Sequence, residues 1–367
     1  MDSTAETLPL LDQSTPSTDS FRTTALEGLQ KSQKEIPSKF LYDERGSKLF
    51  DAICETDDYY PTRTEIGIMK QHVEEMVEAL GPRVLLAEYG SGSSLKTRIL
   101  FNHVEDLALY VPIDISRAHL AESAEVIAER YPHIPVQPLC ADYTEAFDLP
   151  EPPRPASRTV VYYPGSTLGN FQPNDARRFL TGIADTVGAD GGLLIGVDLR
   201  KDVDVLRAAY NDSEGVTAAF NKNLLRRMNR ELDATFDLDQ FEHEAVWNED
   251  AGCIEMHLRS RGNQTVTVAG EPIAFAEGET IRTEYSYKYT LDDFEALAAE
   301  AGLGVEEVWR SHSTSTSSLT LRALRSQHSR EASLKAAASP GRSLDRARNG
   351  VLDVRDFEFG SAPRELT

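Results

Sequence analysis

Val84-Leu85-Leu86-Ala87-Glu88-Tyr89-Gly90-Ser91-Gly92-Ser93-Ser94-Leu95-Lys96 is an apolar run that breaks on two glycines and then turns helical. It predicts a strand, a tight loop and the first turn of a helix. Glycine admits positive φ and lets backbone come close to a ligand, and the helix start that follows offers unpaired N–H groups. Two glycines alone also serve ordinary tight turns. Context comes from the next apolar run, Leu107-Ala108-Leu109-Tyr110-Val111-Pro112-Ile113-Asp114, which ends in a carboxylate. At the carboxyl end of a second strand, Asp114 can accept both hydroxyls of a ribose. Ser94 and Leu95 stand where a third glycine would complete a dinucleotide fingerprint, and only one nucleotide-binding half is evident. The pattern favours S-adenosylmethionine over NAD.

Outward from this stretch, strand and helix patterns alternate, which predicts βαβ units and a mainly parallel sheet in an α/β fold. Strands are expected over Val84 to Tyr89, Leu107 to Ile113, Val136 to Cys140, Thr159 to Tyr163 and Gly192 to Val197, with amphipathic helices over Arg117 to Tyr131 and Pro173 to Val187. Before them, Tyr59-Tyr60-Pro61 reads as a stiff extended lead-in, with Thr62 or Thr64 capping a helix that carries Ile66, Met69 and Val73. After Asp198 the character changes. Lys201 to Phe236 reads as helical, and Phe241 to Trp247, Cys253 to Arg259 and Gln264 to Val268 alternate like antiparallel strands. This insertion ends near Tyr287; a helix over Leu291 to Ala301 and a hairpin of Val305 to Arg310 with Ser318 to Leu324 then complete the sheet domain. Residues 1–20 are rich in Ser, Thr and Pro and read as a mobile leader, and 326–367 as a disordered tail.

The chain has 367 residues, 40% of them hydrophobic, enough for a substantial core. A net charge of -22 without clustered Lys or Arg argues against nucleic acid or an anionic membrane as partner. That acidity fits either a saline habitat or a well-solvated surface. Three scattered cysteines, Cys54, Cys140 and Cys253, give no disulfide framework, and eight histidines show no ligand spacing, so no metal is expected. No apolar run reaches about eighteen residues and no signal-peptide core opens the chain, so a reducing cytoplasm is expected.

Three further places carry chemistry. Asp142, after the third strand, can accept from an adenine amino group while Tyr143 packs on the base, or it caps a helix. Asn170, in the turn-rich run after the fourth strand, can hold an amino or carboxylate group, or form an ordinary Asx-type turn. Glu284 and Ser286 share one strand face and can read an imidazole edge, or simply face water.

Together these residues sit in a familiar frame. The chain from about Phe40 to Leu324 resembles the histidine Nα-methyltransferases of ergothioneine biosynthesis. The likeness rests on Tyr59-Tyr60-Pro61-Thr62-Arg63-Thr64-Glu65, Glu88 to Arg98, Gly165-Ser166-Thr167-Leu168-Gly169-Asn170-Phe171, Gly215 to Asn221, Ile254-Glu255-Met256 and Thr283-Glu284-Tyr285-Ser286-Tyr287-Lys288. It implies a class I, Rossmann-like methyltransferase domain over 63–200 and 288–325, with an α+β substrate-binding domain over 21–62 and 201–287. It further implies trimethylation of L-histidine to hercynine by S-adenosylmethionine, released as S-adenosylhomocysteine, in a monomer. By matching motifs, Gly90, Lys96, Asp114, Asp142 and Tyr143 fall on cofactor positions and Tyr42 beside the donor methyl. Tyr59, Asn170 and Tyr210 fall on positions for the substrate's amino acid backbone, with Tyr60 as the substitute for Tyr59 should the register slip. Met256, Glu284 and Ser286 fall around the imidazole. Relatives on this scaffold methylate other amino acids or a thiol-bearing histidine, and a fold of this kind also suits an NAD(P)-dependent oxidoreductase or a non-catalytic cofactor binder.

Overall fold

The computed structural model describes residues 8–13, 18–92, 94–311 and 319–326. The opening stretch forms strand Val84–Tyr89, a turn through Gly90 (φ 71°) and Gly92 (φ 47°), and helix Leu95–Phe101. Side chains of a strand alternate between faces, and here each face meets its own core. Leu85, Ala87 and Tyr89 pack with Phe179, Leu180 and Phe294 on one side, and Val84 and Leu86 pack with Met69, Met76 and Phe101 on the other. A strand covered on both faces reads as one continuous apolar run, as this one does.

It lies inside an eight-stranded sheet ordered Leu11–Asp12, Leu139–Cys140, Leu107–Asp114, Val84–Tyr89, Thr159–Tyr163, Gly192–Asp198, Leu319–Ser326 and Leu303–Arg310. The strands from Leu11–Asp12 to Gly192–Asp198 run parallel, and the closing hairpin Leu303–Arg310 with Leu319–Ser326 is antiparallel. The chain leaves Val84–Tyr89 toward one edge and later adds Thr159–Tyr163 on its other side. Strand order therefore reverses at Val84–Tyr89, and such a switch point opens a crevice at the carboxyl ends.

A second sheet of four strands is ordered Lys34–Glu35, Thr280–Tyr287, Cys253–Ser260 and Phe241–Asn248, over a separate core that includes Phe220, Leu224, Phe241, Met256 and Leu258. Gln264–Val268 is a strand as expected, but it pairs with Glu271–Phe275 in a hairpin of its own.

Four expectations need correction. The helix expected to begin at Thr62 or Thr64 spans Tyr60–Leu80, with Tyr59 at its N-cap and proline in its first turn. Proline is favourable there because the N–H it lacks would have no helical partner. The helical stretch expected over 201–236 is two helices, Val203–Ala209 and Val216–Glu231, split where Asp212 accepts from Val216 N (2.9 Å) and Thr217 N (2.7 Å). The strand expected over Val136 to Cys140 is only Leu139–Cys140, with Val136 reduced to a single bridge to Tyr110. Pro138, just before Leu139, has no N–H for the ladder. Order also begins before residue 20: Leu11–Asp12 pairs with Leu139–Cys140, and helix Thr18–Leu29 buries Phe21, Ala25 and Leu29. These apolar residues, spaced by four, lie just past the expected leader, and the helix they anchor begins within it at Thr18. The tail expected over 326–367 lies outside the described residues beyond Ser326.

Candidate active site

A cavity of about 970 Å³ opens at the switch point. The large sheet contributes Gly90, Asp114, Asp142, Tyr143 and Asn170 to its wall; Tyr42 and Glu284 come from the smaller sheet and the segment before it. Glu284 is aimed by a β-bulge. Arg282 pairs with His257 and Glu284 with Met256, so Thr283 is the extra residue, tied by its hydroxyl to Met256 O at 3.1 Å. Bulges twist a strand locally and re-aim its side chains.

At the glycine turn, Asp114 accepts from Ser116 N at 2.8 Å and faces Gly92 N at 3.5 Å. Burial pushes its pKa up, and the backbone hydrogen bonds oppose that. Tyr143 stacks on Tyr89 with ring centroids 5.6 Å apart. Burial would raise Asp142 as well, but Lys39 Nζ at 2.8 Å and the bonds from Thr144 hold it below the usual carboxylate range. Lys39 was not singled out from sequence, because nothing local joins it to Asp142.

Glu284 is buried and takes none of the described hydrogen bonds, and burial pushes its pKa up to about 8 against the single opposing influence of Lys288. Asn170 likewise leaves its amide free of the described hydrogen bonds while lining the cavity. A carboxylate and an amide left open by the described residues are what a small polar ligand requires.

The other predicted residues stand behind this wall. Lys96 Nζ pairs with the fully buried Glu65, whose two oxygens accept from Gly165 N at 3.0 Å, so Lys96 ties the glycine turn to the Asn170 loop. Tyr59 packs edge-on against Phe50 and Tyr210, and Tyr42 against Phe50 and Phe220. Burial holds the Tyr42 and Tyr59 hydroxyls well above their ordinary pKa. The Tyr60 hydroxyl donates to Asp198 at 2.5 Å and accepts from Lys201 at 2.7 Å. Met256 is buried opposite Glu284, and Tyr210 and Ser286 share a 2.6 Å hydrogen bond. Among the described residues no group of His, Cys, Asp and Glu is arranged to hold a metal ion.

The Asn170 turn rests directly on the Glu284 strand: a Cβ on Gly169 would meet Tyr287 O at 2.8 Å. Backbone cannot give way as a flexible side chain can. Gly169→Ala is expected to cost about 1–3 kcal/mol and to lower the melting temperature by several degrees, measured by calorimetry against wild type.

A family described as "Histidine-specific methyltransferase, SAM-dependent" matches residues 21–323. The chain is 42% identical over 296 residues to the histidine N-alpha-methyltransferase of Mycolicibacterium smegmatis, covering 79% of this chain and 91% of that protein. With the histidine N-alpha-methyltransferase of Mycobacterium tuberculosis it shares 40% identity over 288 residues, 77% of this chain and 88% of the relative. Ergothioneine biosynthesis protein 1 of Neurospora crassa is 30% identical over 283 residues, 75% of this chain and 32% of that longer protein.

Proposed function

The chain belongs to the family of histidine-specific, S-adenosylmethionine-dependent methyltransferases, and from that premise we propose that it trimethylates the α-amine of L-histidine to hercynine, the first step of ergothioneine biosynthesis. The observation that carries the substrate assignment is Glu284, a buried carboxylate on the cavity wall that takes no hydrogen bond among the described residues. An imidazole N–H satisfies it. An amino acid whose side chain lacks such a donor leaves it unpaired, which is how polar sites reject isosteres.

In this reading the cavity divides. Residues 63–200 and 288–325 hold the donor, with Asp114 on its ribose and Asp142 and Tyr143 on its base; Gly90 gives the close approach and Lys96 fixes the loop. Residues 21–62 and 201–287 hold histidine, its backbone on Tyr59, Tyr210 and the Asn170 amide, its ring among Met256, Glu284 and Ser286. The glycine turn supports the donor site, because Gly90 and Gly92 adopt positive φ beside the half-buried Asp114 carboxylate, which faces the cavity.

When bound, S-adenosylmethionine supplies a methyl group on a sulfonium centre and is released as S-adenosylhomocysteine. The chain's part is positioning: holding the amine at near-attack distance, on the order of 3 Å, supplies most of the rate in such a transfer. Tyr42 borders the reacting amine. Burial pushes its pKa well up, so at neutral pH the phenol is a hydrogen-bonding group that orients the amine. The free thiols Cys54, Cys140 and Cys253 support a reducing, cytoplasmic setting.

Purified protein given S-adenosylmethionine and L-histidine is expected to yield mono-, di- and trimethylhistidine by mass spectrometry. Turnover with another amino acid or with a thiol-bearing histidine, and none with histidine, would overturn the substrate assignment. A pH signature accompanies it. With Glu284 near 8 in the empty site, the carboxylate that accepts the N–H is the minor form at pH 7, so histidine binding must drive a proton off. Calorimetry in buffers of different ionisation enthalpy is expected to show this release at pH 7, fading above pH 8 and smaller in Glu284→Gln, where only histidine's own protons are left to go.

A further inference from the structure

Behind Ser286 lies a charge, at the end of the Thr283 to Lys288 motif, that none of the proposed contacts employs. Lys288 follows the Glu284 strand, and its side chain is wholly buried. Its ammonium has three protons and three acceptors: Ser286 Oγ at 2.8 Å, Tyr210 OH at 3.0 Å and Asp198 Oδ2 at 3.0 Å. Asp198 is itself held by Tyr60 and Lys201. Burial would lower Lys288, but Tyr210 and Asp198 outweigh it and keep the ammonium charged.

An ammonium only donates, so both hydroxyls must accept from it. Their mutual 2.6 Å contact uses one of their two protons. The contact admits either hydroxyl as donor, and greater acidity favours the phenol in that role. Ser286 Oγ then has both lone pairs occupied, by Lys288 and by Tyr210, and its own proton is the one left to offer. Tyr210 keeps one lone pair, suited to an amine N–H.

We propose that Lys288 is a positioning residue that sets the direction of the Ser286 and Tyr210 hydrogen bonds, so that the site selects a neutral imidazole, its N–H toward Glu284 and its ring lone pair toward the Ser286 proton. The proposal rests on the histidine assignment above. An imidazolium has no lone pair to meet Ser286, and a side chain with only donors is refused there. Lys288 also steadies the Glu284 carboxylate: Tyr42, Tyr59 and Tyr210 are the other titratable groups facing Glu284, all phenols at neutral pH.

The test is steady-state kinetics on Lys288→Met, Ser286→Ala and their combination, each checked for folding by thermal melt, with cofactor affinity measured by calorimetry. Lys288→Met is expected to raise the KM for histidine about tenfold or more, with kcat changed less and cofactor affinity unchanged. The acid limb of kcat/KM should move to higher pH, because the cation opposing Glu284 protonation is gone. Combined with Ser286→Ala the loss should be well short of additive, since both act through one hydroxyl. An unshifted acid limb, or strictly additive losses, would overturn the proposal. If Ser286→Ala itself leaves the histidine KM unchanged, the histidine assignment fails instead. Should Lys288→Met not fold, Asp198→Asn with Lys288→Met removes both charges and is read in the same way.

Discussion

Glu284→Ala is expected to weaken L-histidine binding by about a hundredfold or more while S-adenosylmethionine binding stays within a factor of about two. The size follows from what the change leaves behind. In the wild-type cavity the carboxylate accepts an N–H in a site shielded from water, and a hydrogen bond to a charged group is worth about 1.5–3 kcal/mol. In the alanine variant the imidazole N–H enters the same buried place with no acceptor, and its lost hydration is not replaced. Cofactor binding is spared because no donor contact is assigned to the strand Thr280–Tyr287. Glu284→Gln should fall between, since its amide oxygen accepts from the N–H without the charge. Titration calorimetry of each ligand separately decides the matter, and equal losses for both would contradict the role given to Glu284.

The sequence carried the large sheet well because its strands are buried on both faces. Val84 to Tyr89 and Thr159 to Tyr163 match their observed bounds, and apolar runs of this kind are bounded by glycine, proline or charge. It carried element boundaries less well where a tertiary contact decides them. At Asp212 the break is local instead: Asn211-Asp212-Ser213-Glu214-Gly215 is a turn-rich run, masked by the helical patterns that flank it. The carboxylates at strand ends, Asp114 and Asp142, and the face shared by Glu284 and Ser286 were legible because strand geometry fixes where such residues point. Their partners were not. Lys39 reaches Asp142, Glu65 reaches Lys96, and Asp198 reaches Lys288 across long stretches of chain, and no periodicity encodes which distant charges meet. Asp198 offered one local hint that went unused: it ends a parallel strand, as Asp114 does.

Asp114→Ala is expected to show the opposite pattern to Glu284→Ala, with S-adenosylmethionine binding weakened by about a hundredfold and the histidine site intact when the donor saturates. Asp114 ends its strand beside Gly92, where one oxygen is occupied by Ser116 N and the carboxylate still lines the cavity. A ribose offers two hydroxyl donors, and alanine removes the charged acceptor that would receive them. Asp114→Asn keeps an acceptor for Ser116 but replaces the other oxygen with an N–H₂ that opposes a hydroxyl donor less well, so it should recover only part of the loss. Calorimetric titration with S-adenosylhomocysteine reads this without turnover. The two variants together test the proposed division of the cavity, because they lie in different segments of the chain and should move different ligands. Asn170 sharpens that test: it belongs by sequence to the donor-side segment, yet its amide, free of the described hydrogen bonds, is assigned to the histidine backbone. Asn170→Ala should therefore follow Glu284→Ala and spare the donor. If it follows Asp114→Ala instead, the division runs along the chain rather than across the cavity, and histidine is held by the smaller sheet alone.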